Sequence, residues 1–270
     1  MFDIPLTAPS LNGNEWKYVK DCLDSEWVSS AGRYVGLLEE IIAGYVGVKH
    51  GVACINGTAA LQVSIRISGV QPNDEVLVPT LTFIATVNAI AYNGASPVFM
   101  DADKYYNLDC DKTIDFICSQ TELVVDRSHD QTNKIPCCRN KVTGCRVKAV
   151  VPVHVWGNAV CMEELLDVCR ERNIKVIEDA SEGLGTRYRN GKWAGHHVGS
   201  VGQLGCLSFN GNKIASITIH GIHQATVNSL AIKSNGTGPT LTFTAGIFCT
   251  CHLQNFTQHR QGFHGRRYRC

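Results

Sequence analysis

No uninterrupted apolar stretch in this chain approaches the ~20 residues a helix needs to cross a bilayer, so no membrane span is expected. The opening "MFDIPLTAPSLNG" has an acidic residue and a proline where a secretory leader needs a basic patch and an apolar run. A cytoplasmic protein is expected. An excess of one charge sign is also missing: 25 Lys and Arg face 24 Asp and Glu, leaving +1 at pH 7. Nucleic acid and anionic membrane are therefore not expected as partners. No two cysteines form a CxxC pair. The 13 cysteines are an odd, scattered set, with only Cys137 and Cys138 adjacent and Cys249 and Cys251 separated by one residue. This argues against a zinc site or a disulfide framework and for buried thiols in a reduced compartment, with no metal expected. A strand–GxGxxG–helix fingerprint is absent from the early βα units, which weighs against a nicotinamide-dependent enzyme. Residues 214–270 contain no Asp or Glu, and the last acidic residue is Glu182.

What is present is an ordinary globular composition, 44% hydrophobic and 18% charged over 270 residues. That suffices for one large domain or two small ones. From residue 45 onward, short apolar runs alternate with amphipathic stretches, as in an α/β domain with a mostly parallel sheet. Strands are expected at "GVACI" (51–55), "EVLVP" (75–79), "SPVFMDAD" (96–103), "AVVPVHV" (149–155) and "KVIEDAS" (175–181). Helices are expected at "AALQVSIRI", "TFIATVNAIAY", "NLDCDKTIDFI" and "MEELLDVCRERN", the last with acidic residues in its first turn and basic ones in its last, as the helix dipole favours. An N-terminal helix leads into a turn at Ser29–Gly32, and 104–146 reads as an excursion before the sheet resumes.

Three features fall at loop ends of this sheet. Asn56-Gly57-Thr58, between a strand and a helix, would aim backbone N–H groups and a hydroxyl at an anion such as phosphate; the same tripeptide is a common turn and N-cap. Asp179 ends an apolar strand, where a carboxylate can cap a helix, bind a metal or pair with a protonated nitrogen. Lys213 closes the polar turn "SFNGNK", five residues after Ser208. A lysine there is a solvated charge or, if desolvated, a nucleophile able to form a Schiff base. Two phosphate-binding loops, a carboxylate and a lysine together suit a phosphate-bearing aldehyde with a protonated ring nitrogen, which describes pyridoxal phosphate.

The stretches "IPLTAPSLNGNEWKYVKDCLDSEWVSSAGRYV", "NGTAALQ", "DEVLVPTLTFIATVNAIAYNGASPVFMD", "VVPVHVWGN", "IEDASEGLGTRY" and "LSFNGNK" resemble, in order and spacing, the DegT/DnrJ/EryC1/StrS aminotransferases. The likeness covers about residues 4–213 and is nearest to the legionaminic acid, bacillosamine and perosamine branch. It implies the large domain of the fold type I aminotransferases, pyridoxal 5'-phosphate as cofactor, and transfer of an amino group from an amino acid, glutamate in most of the family, to a nucleotide-linked keto-sugar. Lys213 would carry the Schiff base and shuttle the proton, and Asp179 would pair with the pyridine nitrogen. Phe83 would stack on the ring; without the resemblance it reads as helix packing. Gly57, Thr58 and Ser208 would hold the phosphate, with Asn210 beside them. Glu182 would face the ring, Ser29 and Ser30 would lie on the substrate side, and His154 would be structural. A homodimer is implied.

The resemblance stops at Lys213. "KIASITIHGIHQATV" departs from the glycine-rich run the family places after its lysine. The expected division is an aminotransferase large domain over 1–213 and an atypical tail over 214–270, disordered or poorly packed, with the C-terminal small domain missing. The tail's acid-free composition raises the hypothesis of a coding sequence read in a shifted frame. The alternative expectation is therefore a truncated or misread homologue without activity.

Overall fold

Short runs of residues apolar on both sides build the centre of the molecule, as strands buried on two faces require. The structure is a computed structural model that describes residues 13–27, 32–125 and 136–209, and the backbone of 229–233. Helices α1 (Glu15–Asp24) and α2 (Arg33–Val46) precede strand β1 (His50–Cys54). Next come α3 (Gly57–Ile67), β2 (Glu75–Pro79), α4 (Ile84–Ala91), β3 (Ser96–Met100) and α5 (Cys110–Ser119). A separate antiparallel pair, β4 (Thr121–Val125) with β5 (Pro136–Asn140), precedes β6 (Val147–Val150). Helix α6 (Glu163–Glu171), β7 (Lys175–Asp179), β8 (Leu204–Ser208) and β9 (Ser229–Lys233) follow.

The main sheet has seven strands in the order β1-β9-β8-β7-β6-β2-β3. From β8 to β3 every pairing is parallel, and β9 runs antiparallel to both β8 and β1. The α/β class with a mostly parallel sheet is thus the observed architecture. Strand β9 falls within 214–270, and the rest of that stretch lies outside the described residues.

Alternation along each strand divides the core between the two faces. Val76 and Val78 pack with Ala60, Leu61 and Ile65 of α3 and Ala89 and Ile90 of α4. Leu77, between them, belongs to the opposite cluster with Leu38 and Ile42 of α2 and Leu165 of α6. Each of these valine, leucine and isoleucine side chains, fully removed from water, contributes about 1.5–3 kcal/mol. Close backbone contact adds a constraint at β8. A Cβ on Gly205 would stand 2.0 Å from the Gly199 carbonyl oxygen, and Gly199 itself has φ +82°, so neither position admits a side chain without movement.

Three strands end two or more residues earlier than the sequence suggests. β6 stops at Val150 because Pro152 has no N–H to donate, and Val153 makes only an isolated bridge to Asp179. β3 stops at Met100, after which Ala102 bridges back to Leu108. β7 stops at Asp179, whose own Oδ1 accepts the Ser181 N–H at 3.1 Å and turns the chain. Helix α2 is absent from the sequence expectations. Among the described residues no helix is long and apolar enough to cross a membrane.

Candidate active site

In an open parallel sheet, ligands bind outside the carboxyl ends of the strands, where the strand order reverses. The reversal here is at β2, which has β3 on one side and β6 on the other. A cleft of about 400 Å³ opens at this edge, lined by residues at or after the carboxyl ends of β1, β2, β6, β7 and β8. Gly57, Thr58, Phe83, Asp179, Glu182 and Ser208 all line it. Lys213, Asn210, Ser29 and Ser30 lie outside the described residues.

One end of the cleft is the first turn of α3. Asn56 is its N-cap, with Oδ1 accepting the Ala59 N–H at 2.8 Å, and the Asn56 carbonyl accepts from Ala60. No described residue accepts from the N–H groups of Gly57 or Thr58. These two donors and the helix dipole make this turn receptive to an anion. Ser208, 8% exposed, adds a hydroxyl from the end of β8.

Asp179 is only 4% exposed. Its Oδ2 accepts the Thr86 hydroxyl at 2.7 Å and its Oδ1 accepts the Ser181 N–H. Each carboxylate oxygen has two acceptor positions, so capacity for a further donor from the cleft remains. Phe83 is the N-cap residue of α4 and is 76% exposed. Its ring stands at the cleft instead of in the core, which excludes helix packing as its main contact.

The opposite wall is formed by Val153 to Trp156, with Ser181 and Glu182. Trp156 has φ 52°, an uncommon conformation for a bulky residue, and its N–H donates to Glu182 Oε2 at 2.8 Å. Its ring meets Tyr106 edge-on with centroids 5.4 Å apart. Trp156, Thr82 and Thr86 are site residues that the sequence reading missed. Thr86 had one available signal, a hydroxyl within the otherwise apolar first turn "IATV" of α4.

His154 belongs to this wall and Glu178 lies behind it, both side chains shielded from water. His154 Nδ1 accepts the Val160 N–H at 3.1 Å, so Nε2 carries the proton and donates to Glu178 Oε2 at 2.9 Å. Glu178 also accepts from the backbone of Gly199, Val201 and Gly202. Burial pushes its carboxyl up, but the His154 hydrogen bond and these N–H donors outweigh burial and hold it below the ordinary glutamate value. Of the adjacent carboxylates, Glu178 ties the 199–202 loop to the sheet and Asp179 serves the cleft. Burial pushes the Cys206 thiol far up, which makes it an inert packing group.

An anion-receptive helix start, a buried carboxylate and an exposed aromatic ring at the carboxyl edge of a parallel sheet define a site for a phosphorylated aromatic ligand. Residues 9–221 match the DegT/DnrJ/EryC1/StrS aminotransferase family, and the chain belongs to it. The family comprises pyridoxal-phosphate-dependent transaminases. GDP-perosamine synthase of Caulobacter vibrioides is 38% identical over 237 residues, 86% of this chain and 56% of that protein. The solved structure of DesI with its TDP-sugar product is 28% identical, with TM-score 0.64, covering 87% of this chain and 50% of that one. The fold is shared with the sugar aminotransferase Spr1654 from Streptococcus pneumoniae, solved in its PLP form, at 23% identity and TM-score 0.67 over 87% of this chain and 53% of that one. The chain spans about half the length of the curated relatives it matches.

Proposed function

We propose that this chain takes part in pyridoxal-phosphate-dependent transfer of an amino group from an amino acid, glutamate, to a nucleotide-linked keto-sugar in amino-sugar or surface-polysaccharide biosynthesis. Residues 1–213 form its cofactor-binding domain, and 214–270 are an atypical tail from which only β9 among the described residues joins the sheet. The observation that carries this reading is Asp179, a carboxylate 4% exposed at a cleft that also has two N–H donors without an acceptor among the described residues and a 76% exposed phenylalanine. The residues present fit the cofactor, because each matches one part of it: the α3 start the phosphate, Asp179 the ring nitrogen, Phe83 the ring face. The names of the GDP-perosamine synthases and the TDP-sugar product of DesI support the substrate class.

Bound pyridoxal phosphate would supply an electron-withdrawing protonated ring. Gly57 and Thr58 would hold its phosphate through backbone N–H groups, aided by the hydroxyls of Thr58 and Ser208, with Asn210 proposed as a further contact. Asp179 keeps a proton on the ring nitrogen by accepting it in a hydrogen bond shielded from water. Phe83 would cover one ring face and exclude solvent, and Glu182, which also lines the cleft, would face the ring. The amine of Lys213 takes and returns the proton at the substrate carbon. Ser29 and Ser30 contribute on the substrate side, and a cytoplasmic homodimer is part of the same proposal.

Purified chain incubated with pyridoxal phosphate should acquire a visible absorption band that stays with the protein through gel filtration and is lost in Lys213→Ala. A wild-type chain that acquires no such band would instead support an inactive homologue.

A further inference from the structure

We propose that Thr82 and Thr86 form a one-way hydroxyl relay that positions Asp179 and holds the proton on its ring-nitrogen partner. Thr86 Oγ1 is 2.7 Å from Asp179 Oδ2, in a fully buried contact between residues 93 apart in sequence. An ionised carboxylate only accepts, so the single Thr86 hydroxyl proton points at Asp179. Thr82 Oγ1 lies 3.0 Å from Thr86 Oγ1. With the Thr86 proton already committed, Thr82 must be the donor in this pair. Its other contact, to the Phe83 carbonyl at 3.4 Å, is longer. The direction is therefore fixed from Thr82 to Thr86 to Asp179.

The relay has two consequences. Oδ2 is pinned by the Thr86 hydroxyl and Oδ1 by the Ser181 N–H at 3.1 Å, so the carboxylate plane cannot turn freely. The plane is set by α4 on one side and by the turn after β7 on the other. Donors on a buried carboxylate also favour its ionised form, and a hydroxyl that itself accepts a hydrogen bond donates more strongly. A proton shared with a nitrogen in the cleft then stays on the nitrogen. Without the relay, the carboxylate would accept that hydrogen bond in a less fixed geometry and hold the proton on the nitrogen less firmly. Thr82 and Thr86 are thus positioning residues that act through Asp179, and Thr82 reaches the carboxylate only through Thr86. This last step rests on the cofactor reading above; the relay itself does not.

Two measurements test the proposal. In the cofactor-free chain, proton NMR should show a slowly exchanging, downfield Thr86 hydroxyl resonance. It should vanish in Thr86→Val, return in Thr86→Ser and move upfield in Thr82→Val. An unmoved resonance in Thr82→Val overturns the relay. In chain loaded with nitrogen-15-labelled pyridoxal phosphate, the ring nitrogen should resonate in the protonated range in wild type and Thr86→Ser. It should shift toward the unprotonated range in Thr86→Val, with cofactor affinity falling about ten-fold. A ring-nitrogen signal unchanged in Thr86→Val overturns the proposed effect on the proton. Should Thr86→Val not fold, Thr82→Val carries both tests, because Thr82 is only half-buried. A wild-type chain that takes up no pyridoxal phosphate defeats the cofactor reading, while the hydroxyl resonance still decides the relay.

Discussion

Glu178 Oε2 accepts the His154 Nε2 proton at 2.9 Å, with both side chains shielded from water, and this pair joins the loop after β6 to β7, where Glu178 also holds the loop before β8. Glu178→Gln would turn an amide NH2 toward backbone N–H donors of Gly199, Val201 and Gly202 and lose at least one of their bonds. A buried charged network broken on one side costs about 3–5 kcal/mol. Urea denaturation should show a loss of that order. The pH dependence has a fixed sign. Because the folded-state carboxyl lies below the ordinary 4.5, its stabilisation is complete above that pH and is lost as the pH falls through the lower folded value.

His197 places a second acid sensitivity in a higher pH window. Its Nε2 accepts the Gly185 N–H at 2.7 Å, so Nδ1–H donates to the Val198 carbonyl. The ring packs edge-on to Tyr45 at 5.8 Å. Burial, the largest influence, pulls the imidazole down from 6.5 to about 4. Between those values the unfolded chain binds a proton that the folded chain refuses. Stability should therefore fall with acidification across this window by up to about 1.4 kcal/mol per pH unit. Denaturation curves at several pH values should show this slope in wild type and a shallower one in His197→Asn. An equal slope in both would exclude His197 as its source.

The strands were legible because burial on both faces demands continuous apolar runs, and "EVLVP" and "KVIED" have few other readings. Asp179 was legible because a carboxylate ending such a run needs a reason to be there. Helix α2 was not, although Leu38, Ile42 and Val46 recur at helical spacing, because Gly36 and Gly44 read as breaks. Both glycines face open space, with nothing within 4 Å of an added Cβ, so neither reports on packing. The β4–β5 pair was hidden because its strands are not joined by a two-residue turn. Trp156 and the Thr86 contact were illegible for a different reason. A left-handed backbone at a tryptophan and a bond across 93 residues are imposed by the tertiary fold and leave no local pattern.

Trp156 allows the backbone strain at the cleft wall to be separated from the ring contact. With φ 52°, a side chain costs roughly 1–2 kcal/mol compared with glycine. The edge-on contact with Tyr106 at 5.4 Å returns about 0.5–1.5 kcal/mol. Trp156→Ala keeps the strain and loses the contact, so it should be destabilised by about 1 kcal/mol. Trp156→Gly loses both and should be more stable than the alanine variant by about 1 kcal/mol. Chemical denaturation of the two variants side by side checks this, and an alanine variant as stable as the glycine one would mean that the backbone relaxes.

Phe83 offers the sharpest separation of folding from binding. It is 76% exposed, so Phe83→Ala removes little buried area and should change the unfolding free energy by no more than about 0.5 kcal/mol. If its ring covers one face of the bound cofactor, the same substitution removes an aromatic stacking contact worth about 0.5–1.5 kcal/mol. Affinity for pyridoxal phosphate should then fall about three- to ten-fold, with Phe83→Tyr close to wild type. Equilibrium dialysis with the three chains measures this directly. Equal retention of cofactor by wild type and Phe83→Ala would place the ring elsewhere when the cofactor is bound.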